Sequence, residues 1–349
     1  MFVLIIGTRA EFIKTFPVLH ALSKRKIPHC WIHTGQHNLN DLIKKFHVEY
    51  PRDVLTPPPK KSSVFMGNIG KSIFWSLKSI NEIREKVNGL HDVKYVAYHG
   101  DTMSTLCAAV GTSRLLNPGK KYKNVHIEAC LRSHSLFEPF PEEIFRIIVD
   151  NLSDILLSPI KKGKRDICIG NTIYDAAYYA LKLSKISISG EYALASVHRH
   201  ENIRSKNRMK KTISIIEESP YPVIFPLHDN TKKALMKQGL FQRLLNNPKV
   251  KVTRLYGYPE FIRILSHAKL VFTDGGSIQE ECLEFRIPCV LLRYATERQD
   301  GLIKGQILLS KLDSNTVKKW MHNRKSHSYI NPYGSRGASE KLIKVLYGF

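Results

Sequence analysis

The sequence predicts an α/β protein made of two doubly wound domains, and three observations carry that prediction. Short continuous apolar runs such as Phe2-Val-Leu-Ile-Ile6 alternate with segments whose apolar residues recur at helical spacing, as expected of parallel strands buried on both faces and joined by helices. The rhythm runs twice along 349 residues, a length that favours two domains over one. The run ending at Asp274 turns through Gly275-Gly276 and restarts at helical spacing, which reads as a strand, a tight turn and a helix N-terminus. The boundaries read as residues 1–165, joined by a C-terminal helix at 332–349, and residues 166–331.

The chain opens with a βα unit: Gly7-Thr8-Arg9 breaks the first run before a helix through Phe12, Ile13, Phe16, Leu19 and Leu22. Arg9 and Lys14 then lie at or just beyond the carboxyl end of the strand, where open α/β sheets bind ligands. A second strand, Pro28 to His33, delivers Thr34-Gly35-Gln36-His37-Asn38 to the same edge. Leu55 to Ser63, with three consecutive prolines, is expected to be a surface loop. A helix from about Ser72 to Asn88 would bury a stripe of Ile73, Leu77, Ile80, Ile83 and Val87.

The strand Val93 to Tyr98 presents His99-Gly100-Asp101-Thr102 before a helix from Met103 to Leu115. The strand Val125 to Ile127 ends in Glu128-Ala-Cys-Leu-Arg132, and Glu138 to Glu143 adds acids before a helix carrying Arg146. Asp101, Glu128 and the acids around Glu142 thus gather on one rim, where clustered carboxylates raise one another's pKa and make proton-transfer groups. Asp154 to Ser158 reads as the last strand of the first domain, followed by a basic connection, Lys161 to Arg165.

In the second domain the strand Glu191 to Val197 ends in His198-Arg199-His200-Glu201-Asn202. A His-x-His pair on a strand points two imidazoles to one face, but no third ligand lies nearby, so no metal is expected and His198 is read as an acid, base or leaving-group stabiliser. The strand Pro222 to Leu227 leads to a capped helix start at His228-Asp229-Asn230-Thr231. In the Gly275-Gly276-Ser277 turn the glycines admit a close ligand and the first-turn N–H groups cradle an anion. Ser277 is expected to cap that helix, and Glu281 to accept hydrogen bonds from ribose hydroxyls. The next strand, Ile287 to Leu292, ends in a polar rim loop, Arg293 to Arg298. Beyond Lys311 the chain reads as helical and basic, and its last helix, Ser339 to Tyr347, as crossing back to the first domain.

Composition narrows the function classes. With 54 Lys and Arg against 30 Asp and Glu the net charge is +24, yet the basic residues are scattered in pairs with no aromatic interleaving. That is a basic solvated surface and not a nucleic-acid footprint, so the expected partner is an anionic substrate, with peripheral contact to an anionic membrane or glycan as a secondary expectation. Six cysteines without a C-x-x-C pair suit buried thiols in a reducing compartment. A strand directly after Met1 and the lack of a membrane-length apolar run lead to an expected cytoplasmic location.

Several segments together carry a family resemblance. They are Gly7-Thr-Arg9 with Lys14, Thr34-Gly-Gln-His37, His99-Gly-Asp-Thr102, Glu128 with Leu131-Arg132, Pro139-Phe-Pro-Glu-Glu143 with Arg146, Gly170-Asn-Thr172, His198-Arg199 with Glu201-Asn202, Ile278-Gln-Glu-Glu281 and Thr296-Glu-Arg298. In this order the chain resembles the non-hydrolysing UDP-N-acetylglucosamine 2-epimerases, which share the GT-B fold of two Rossmann-like domains with the active site in the interdomain cleft. The resemblance implies that Arg9, Gly276, Ser277 and Glu281 hold UDP, and that Lys14, Asp101, Glu128, Glu142, Arg146 and His198 surround the sugar and diphosphate. Gln36, His37, Arg132, His228, Gly275 and Arg298 complete the expected substrate-binding set. It further implies anti elimination of UDP to a 2-acetamidoglucal and re-addition with a proton on the opposite face of C2, without a cofactor, in a homodimer.

Departures from the family pattern suggest a divergent branch. Asp274-Gly-Gly-Ser277 stands where Asp-Ser-Gly-Gly is usual, Ala10 replaces a proline, Cys130 a glycine and His200 an arginine, and the stretch between Ile160 and Asp166 is short. Two other activities compete: a GT-B glycosyltransferase passing the sugar from a UDP donor to an acceptor, and a hydrolysing epimerase releasing N-acetylmannosamine and UDP. Asp101, Glu128, Glu142 and His198 favour the epimerase over the transferase, which needs no proton transfer at C2.

Overall fold

In the computed structural model, residues 1–58, 65–133, 141–323 and 330–348 are described. The chain divides into two units, residues 1–176 with 335–349 and residues 177–334. The first holds seven strands: β1 (Phe2–Ile6), β2 (His29–His33), β3 (Asp53–Val54), β4 (Tyr95–His99), β5 (Lys123–Ile127), β6 (Ile155–Ser158) and β7 (Asp166–Cys168). They lie in the order β3-β2-β1-β4-β5-β6-β7, every pair parallel. The second holds β8 (Ala193–Ser196), β9 (Val223–Pro226), β10 (Val250–Thr253), β11 (Leu270–Thr273), β12 (Cys289–Leu291) and β13 (Ile307–Leu309), in the order β10-β9-β8-β11-β12-β13, again parallel throughout. Both sheets reverse direction of winding beside their first strand, the place where doubly wound sheets leave a crevice for ligands.

Each sheet is buried on both faces, which is why its strands read as unbroken apolar runs. In the first unit Val3, Ile5, Ile32, Val96 and Tyr98 pack on the small residues Cys107, Ala108 and Ala109 of the helix Met103–Gly111. That helix lies close against the helix Phe65–Asn88, because a Cβ on Gly111 would come within 2.8 Å of the Ile80 carbonyl oxygen. In the second unit Ala195, Phe225, Phe272 and Val290 pack against Met209, Ile213 and Ile216 of the helix Lys206–Glu217. The C-terminal helix, Ala338–Tyr347, packs on the first unit: Tyr95 Oη donates to Leu346 O over 2.6 Å, and the Asp175 carboxylate accepts from the N–H groups of Gly337 (2.6 Å) and Ser339 (2.8 Å).

The structure corrects several expectations. The first sheet does not end at Ser158: β7 adds to it after a tight turn in which Asp166 accepts from Ser158 Oγ and the N–H groups of Lys162 and Gly163. The helix from Met103 stops at Gly111, short of Leu115. On the helix Phe65–Asn88 the buried line is Trp75, Ser79, Ile83 and Val87, whereas Ile73 and Leu77 are each 57% exposed. Trp75 turns inward because its indole N–H finds the Thr56 carbonyl at 2.8 Å. Residues 59–63 of the expected proline loop and the acidic stretch from Glu138 to Phe140 lie outside the described residues. Among the described residues no helix is long and apolar enough to cross a membrane.

Candidate active site

The first unit's rim starts at the β1 turn. A Cβ on Gly7 would meet Ser104 Oγ at 1.9 Å and Thr34 Oγ1 at 2.4 Å, so only glycine lets the loops after β1, β2 and β4 converge. Thr8 caps the helix Arg9–Lys24 in a capping box with Glu11. Glu11 is buried and its carboxylate accepts from Gly7 N (2.6 Å), Thr8 N (2.8 Å), Thr105 Oγ1 (2.9 Å) and Thr102 Oγ1. Burial pushes its pKa up against these hydrogen bonds. Glu11 thereby ties the turn after β1 to the turn after β4, a role that sequence reasoning missed although Thr8-x-x-Glu11 signalled the box.

One turn along the helix, Lys14 Nζ lies 2.5 Å from Glu128 Oε1, both side chains buried. The other oxygen of Glu128 is 3.5 Å from His99 Nδ1. Glu128 has φ +67°, a left-handed backbone that a non-glycine residue adopts at a cost and that is enriched at functional sites. Cys130, two residues on, has φ +66° where the family pattern has glycine. Asp101 pairs with the Arg146 guanidinium, whose Nη1 is also 2.9 Å from Glu143 Oε2. Glu142 opens the helix Glu142–Leu152, half-buried, directly before Glu143. Arg132 Nη2 pairs with Asp150 at 2.6 Å, and Asp150 also receives His126 Nδ1 at 2.6 Å. Burial opposes the Asp150 charge, but His126 and Arg132 outweigh it and hold its pKa below the usual carboxylate range.

At the outer end of this rim the Arg9 guanidinium makes two 2.7 Å hydrogen bonds to the exposed Asp41. Gln36 Oε1 accepts from Ser104 Oγ (2.5 Å), and the N–H of His37 donates to Gly7 O (2.9 Å). The structure thus brings together Lys14, His99 and Glu128, and likewise Asp101, Arg146 and Glu143. Arg132 instead pairs with Asp150.

In the second unit Asp274, fully buried at the end of β11, accepts from the N–H groups of His198 (3.0 Å) and Arg199 (3.0 Å) and from Asn202 Nδ2 (3.0 Å). It therefore pins the segment after β8 to the start of the Gly275-Gly276 turn. His198 Nδ1 is 3.6 Å from Asp274 Oδ1, and the His198 and His228 rings lie 4.9 Å apart. Because β8 ends at Ser196 and His200 is exposed at the start of a short helix, the two histidines do not share a strand face. Among the described residues no group of His, Cys, Asp or Glu is arranged to hold a metal ion.

The helix Gly276–Glu284 is capped by Gly275, with no side-chain hydrogen bond, so Ser277 lies in its first turn and does not cap it. A Cβ on Gly275 would come within 3.1 Å of His198 Cε1, and one on Gly276 within 2.4 Å of Arg298 Nη1. Glu281 is buried and accepts from Tyr258 Oη at 2.8 Å, a contact between residues 23 positions apart that no local motif signals. Arg293 to Arg298, expected as a polar rim loop, is instead largely internal: Arg293, Thr296, Glu297 and Arg298 are buried. Burial is tolerated because charges pair: Arg293 Nη1 is 3.1 Å and Arg199 Nη2 3.6 Å from Glu297, and Arg298 pairs with Glu280 (2.9 Å) and with Glu297.

Desolvation by the groups packed around them lowers the pKa of both His198, whose side chain is nevertheless 38% exposed, and the half-buried His228, so His228 carries the larger share of the effect. The folded state therefore holds them neutral while the unfolded chain takes up protons first, so their contribution to stability is complete above the unfolded pKa and is lost as pH falls through it. Urea unfolding at about pH 7.5 and about pH 5.5 should show a loss of stability on acidification that is smaller in a His198→Gln/His228→Gln double variant. An equal loss in both proteins would place the acid sensitivity elsewhere.

Together the two sheets, a rim of paired lysine, arginine and carboxylates, and a glycine turn backed by a buried acid define a two-unit α/β protein equipped for anionic ligands. The chain belongs to the UDP-N-acetylglucosamine 2-epimerase family, whose profile matches residues 20–347. The UDP-N-acetylglucosamine 2-epimerase of Methanocaldococcus jannaschii is 33% identical, over 99% of this chain and 98% of its own. The UDP-2,3-diacetamido-2,3-dideoxy-D-glucuronate 2-epimerase of Pseudomonas aeruginosa is 30% identical, over 84% of this chain and 83% of its own. The solved structure of the Methanocaldococcus jannaschii enzyme in complex with UDP-GlcNAc and UDP matches with a TM-score of 0.84 at 28% identity, covering 100% of this chain and 99% of that one. The family that the motifs resemble is thus the one to which the chain belongs, and the α/β architecture is shared with it.

Proposed function

We propose that this protein interconverts UDP-N-acetylglucosamine and UDP-N-acetylmannosamine by eliminating UDP and adding it back, in the supply of sugars for surface polysaccharide. The observation that carries the reading is Glu128, held in a left-handed conformation with Lys14 Nζ at 2.5 Å and His99 Nδ1 at 3.5 Å. Moving a proton at C2 from two faces needs two positioned acid–base groups, and Glu128 and Asp101 offer two carboxylates with separate cationic partners. The cations Lys14 and Arg146 would stabilise charge on the departing diphosphate. In this reading Arg9, Gly275, Gly276, Ser277 and Glu281 hold UDP, His198 and His228 lie beside the diphosphate, and Arg298, turned inward, supports the turn from behind. The exposed apolar face of Ile73, Phe74 and Leu77 supports a homodimer formed through that helix, and a nucleotide-sugar substrate suits a cytoplasmic location.

Incubation with UDP-N-acetylglucosamine alone should yield UDP-N-acetylmannosamine in equilibrium with it. The Pseudomonas aeruginosa relative is named for a diacetamido-glucuronate, so that UDP-sugar belongs in the same assay. Free N-acetylmannosamine appearing in step with UDP would establish the hydrolysing reaction instead. Consumption only when a glycan acceptor is present would establish transfer.

A further inference from the structure

The second unit carries a cavity remote from the Gly275-Gly276 turn. At the N-terminal ends of β8 and β11, Lys269 N donates to Tyr192 O over 2.8 Å. Asp274 lies at the opposite ends of these four-residue strands, roughly 13 Å away at the usual rise per residue. Here a cavity of about 230 Å³ is lined by Ser184, Lys185, Ser187, Tyr192, Arg263 and His267, with two isoleucines, and no acidic residue lines it. The nearby Glu191 is paired with Lys269 at 3.1 Å.

Arg263 connects the walls. Its Nη2 donates to the carbonyl oxygens of Leu181 (3.1 Å) and Ser184 (3.0 Å), closing the C-terminal end of the helix Thr172–Leu183. That accounts for one edge of the guanidinium, but Nε is buried and has no hydrogen-bond partner. Lys185 is exposed beside it and makes no ion pair with any described residue. His267 Nδ1 lies 3.0 Å from Arg263 O, which leaves its other ring nitrogen outside that contact.

We propose that this cavity binds a small phosphate-bearing molecule, either inorganic phosphate or a phosphomonoester. An arginine, a lysine, a histidine and two serines on the walls are the residue types that a tetrahedral dianion engages, and no carboxylate lines the cavity. The volume, about 230 Å³, falls below the ~300 Å³ at which pockets for larger ligands begin, so its size suits a small anion better than a nucleotide sugar. The bound anion joins the end of the helix Thr172–Leu183, the segment 184–190 and the C-terminal end of the helix Tyr258–His267, whose first residue, Tyr258, donates to Glu281.

The test is calorimetric titration of the full chain, first saturated with UDP, using inorganic phosphate in one arm and glycerol 3-phosphate in the other. One further equivalent should bind, and Arg263→Gln and Lys185→Gln should each weaken it by about tenfold or more while UDP affinity stays unchanged. Lys185 is exposed, so its variant keeps the test decisive should Arg263→Gln fail to fold. Tighter binding of glycerol 3-phosphate identifies a phosphomonoester as the ligand, and tighter binding of the free ion identifies phosphate itself. No binding to the UDP-saturated protein, or equal binding by wild type and Lys185→Gln, overturns the site. If UDP itself does not bind, the nucleotide reading fails, and the two variants still report on this cavity.

Discussion

In heavy water, the product formed by the wild-type protein carries deuterium at C2, and Glu128→Gln slows that incorporation by about a hundredfold or more, the scale on which acid–base catalysts act. The prediction rests on the surroundings of Glu128: a buried carboxylate with Lys14 on one oxygen and His99 beside the other, on a backbone held at positive φ. Glutamine keeps the shape and loses the titratable group. A proton removed from one face of C2 by a carboxyl group exchanges with solvent before another group returns a deuteron to the opposite face. Because Lys14 sits 2.5 Å from Glu128, the substitution also removes a charge partner from a buried lysine, so unfolding should be measured beside turnover to separate chemistry from stability. If the wild-type protein leaves the C2 hydrogen unexchanged yet consumes nucleotide sugar once a glycan acceptor is added, the epimerase proposal is wrong and transfer replaces it.

How far the sequence could be read follows from which signals are local. Strands of four or five residues buried on both faces, such as Phe2–Ile6, leave an unbroken apolar run, whereas β3, β7 and β13 have only two or three residues and no period to detect. On the helix Phe65–Asn88 the apolar stripe meets the core at Ile80, Ile83 and Val87 but not at Ile73 and Leu77, because periodicity does not say where along a helix the core stops. Motif residues at strand ends were legible because parallel sheets deliver loops to one edge. Their partners were not. That Glu11 serves the turn after β4, that Tyr258 donates to Glu281, and that Arg298 turns inward to Glu280 are contacts between segments far apart in sequence. Charged residues are usually exposed, so Arg293 to Arg298 reads as a rim loop, and only its ion pairs with Glu280 and Glu297 explain its burial.

Asp274→Asn should cost about 2–4 kcal/mol of stability and lower turnover more than it raises KM. Asp274 is fully buried, and its acceptor-only carboxylate serves three donors: the N–H groups of His198 and Arg199 and the Asn202 amide. Asparagine keeps one oxygen but sets an N–H₂ group against donors, so at least one of the three loses its acceptor. Asp274 also raises the pKa of His198 against the effect of burial, and its charge is lost in the variant. The imidazole is then harder to protonate, and any step that uses the cationic form of His198 should fall off at a lower pH than in wild type. Asn202→Ala separates the two effects, because it removes one donor while leaving the carboxylate beside His198. That variant should lose stability yet keep the wild-type pH profile of kcat. If Asp274→Asn keeps the wild-type turnover and pH profile, Asp274 acts only as a packing group for the segment after β8 and has no part in setting the state of His198.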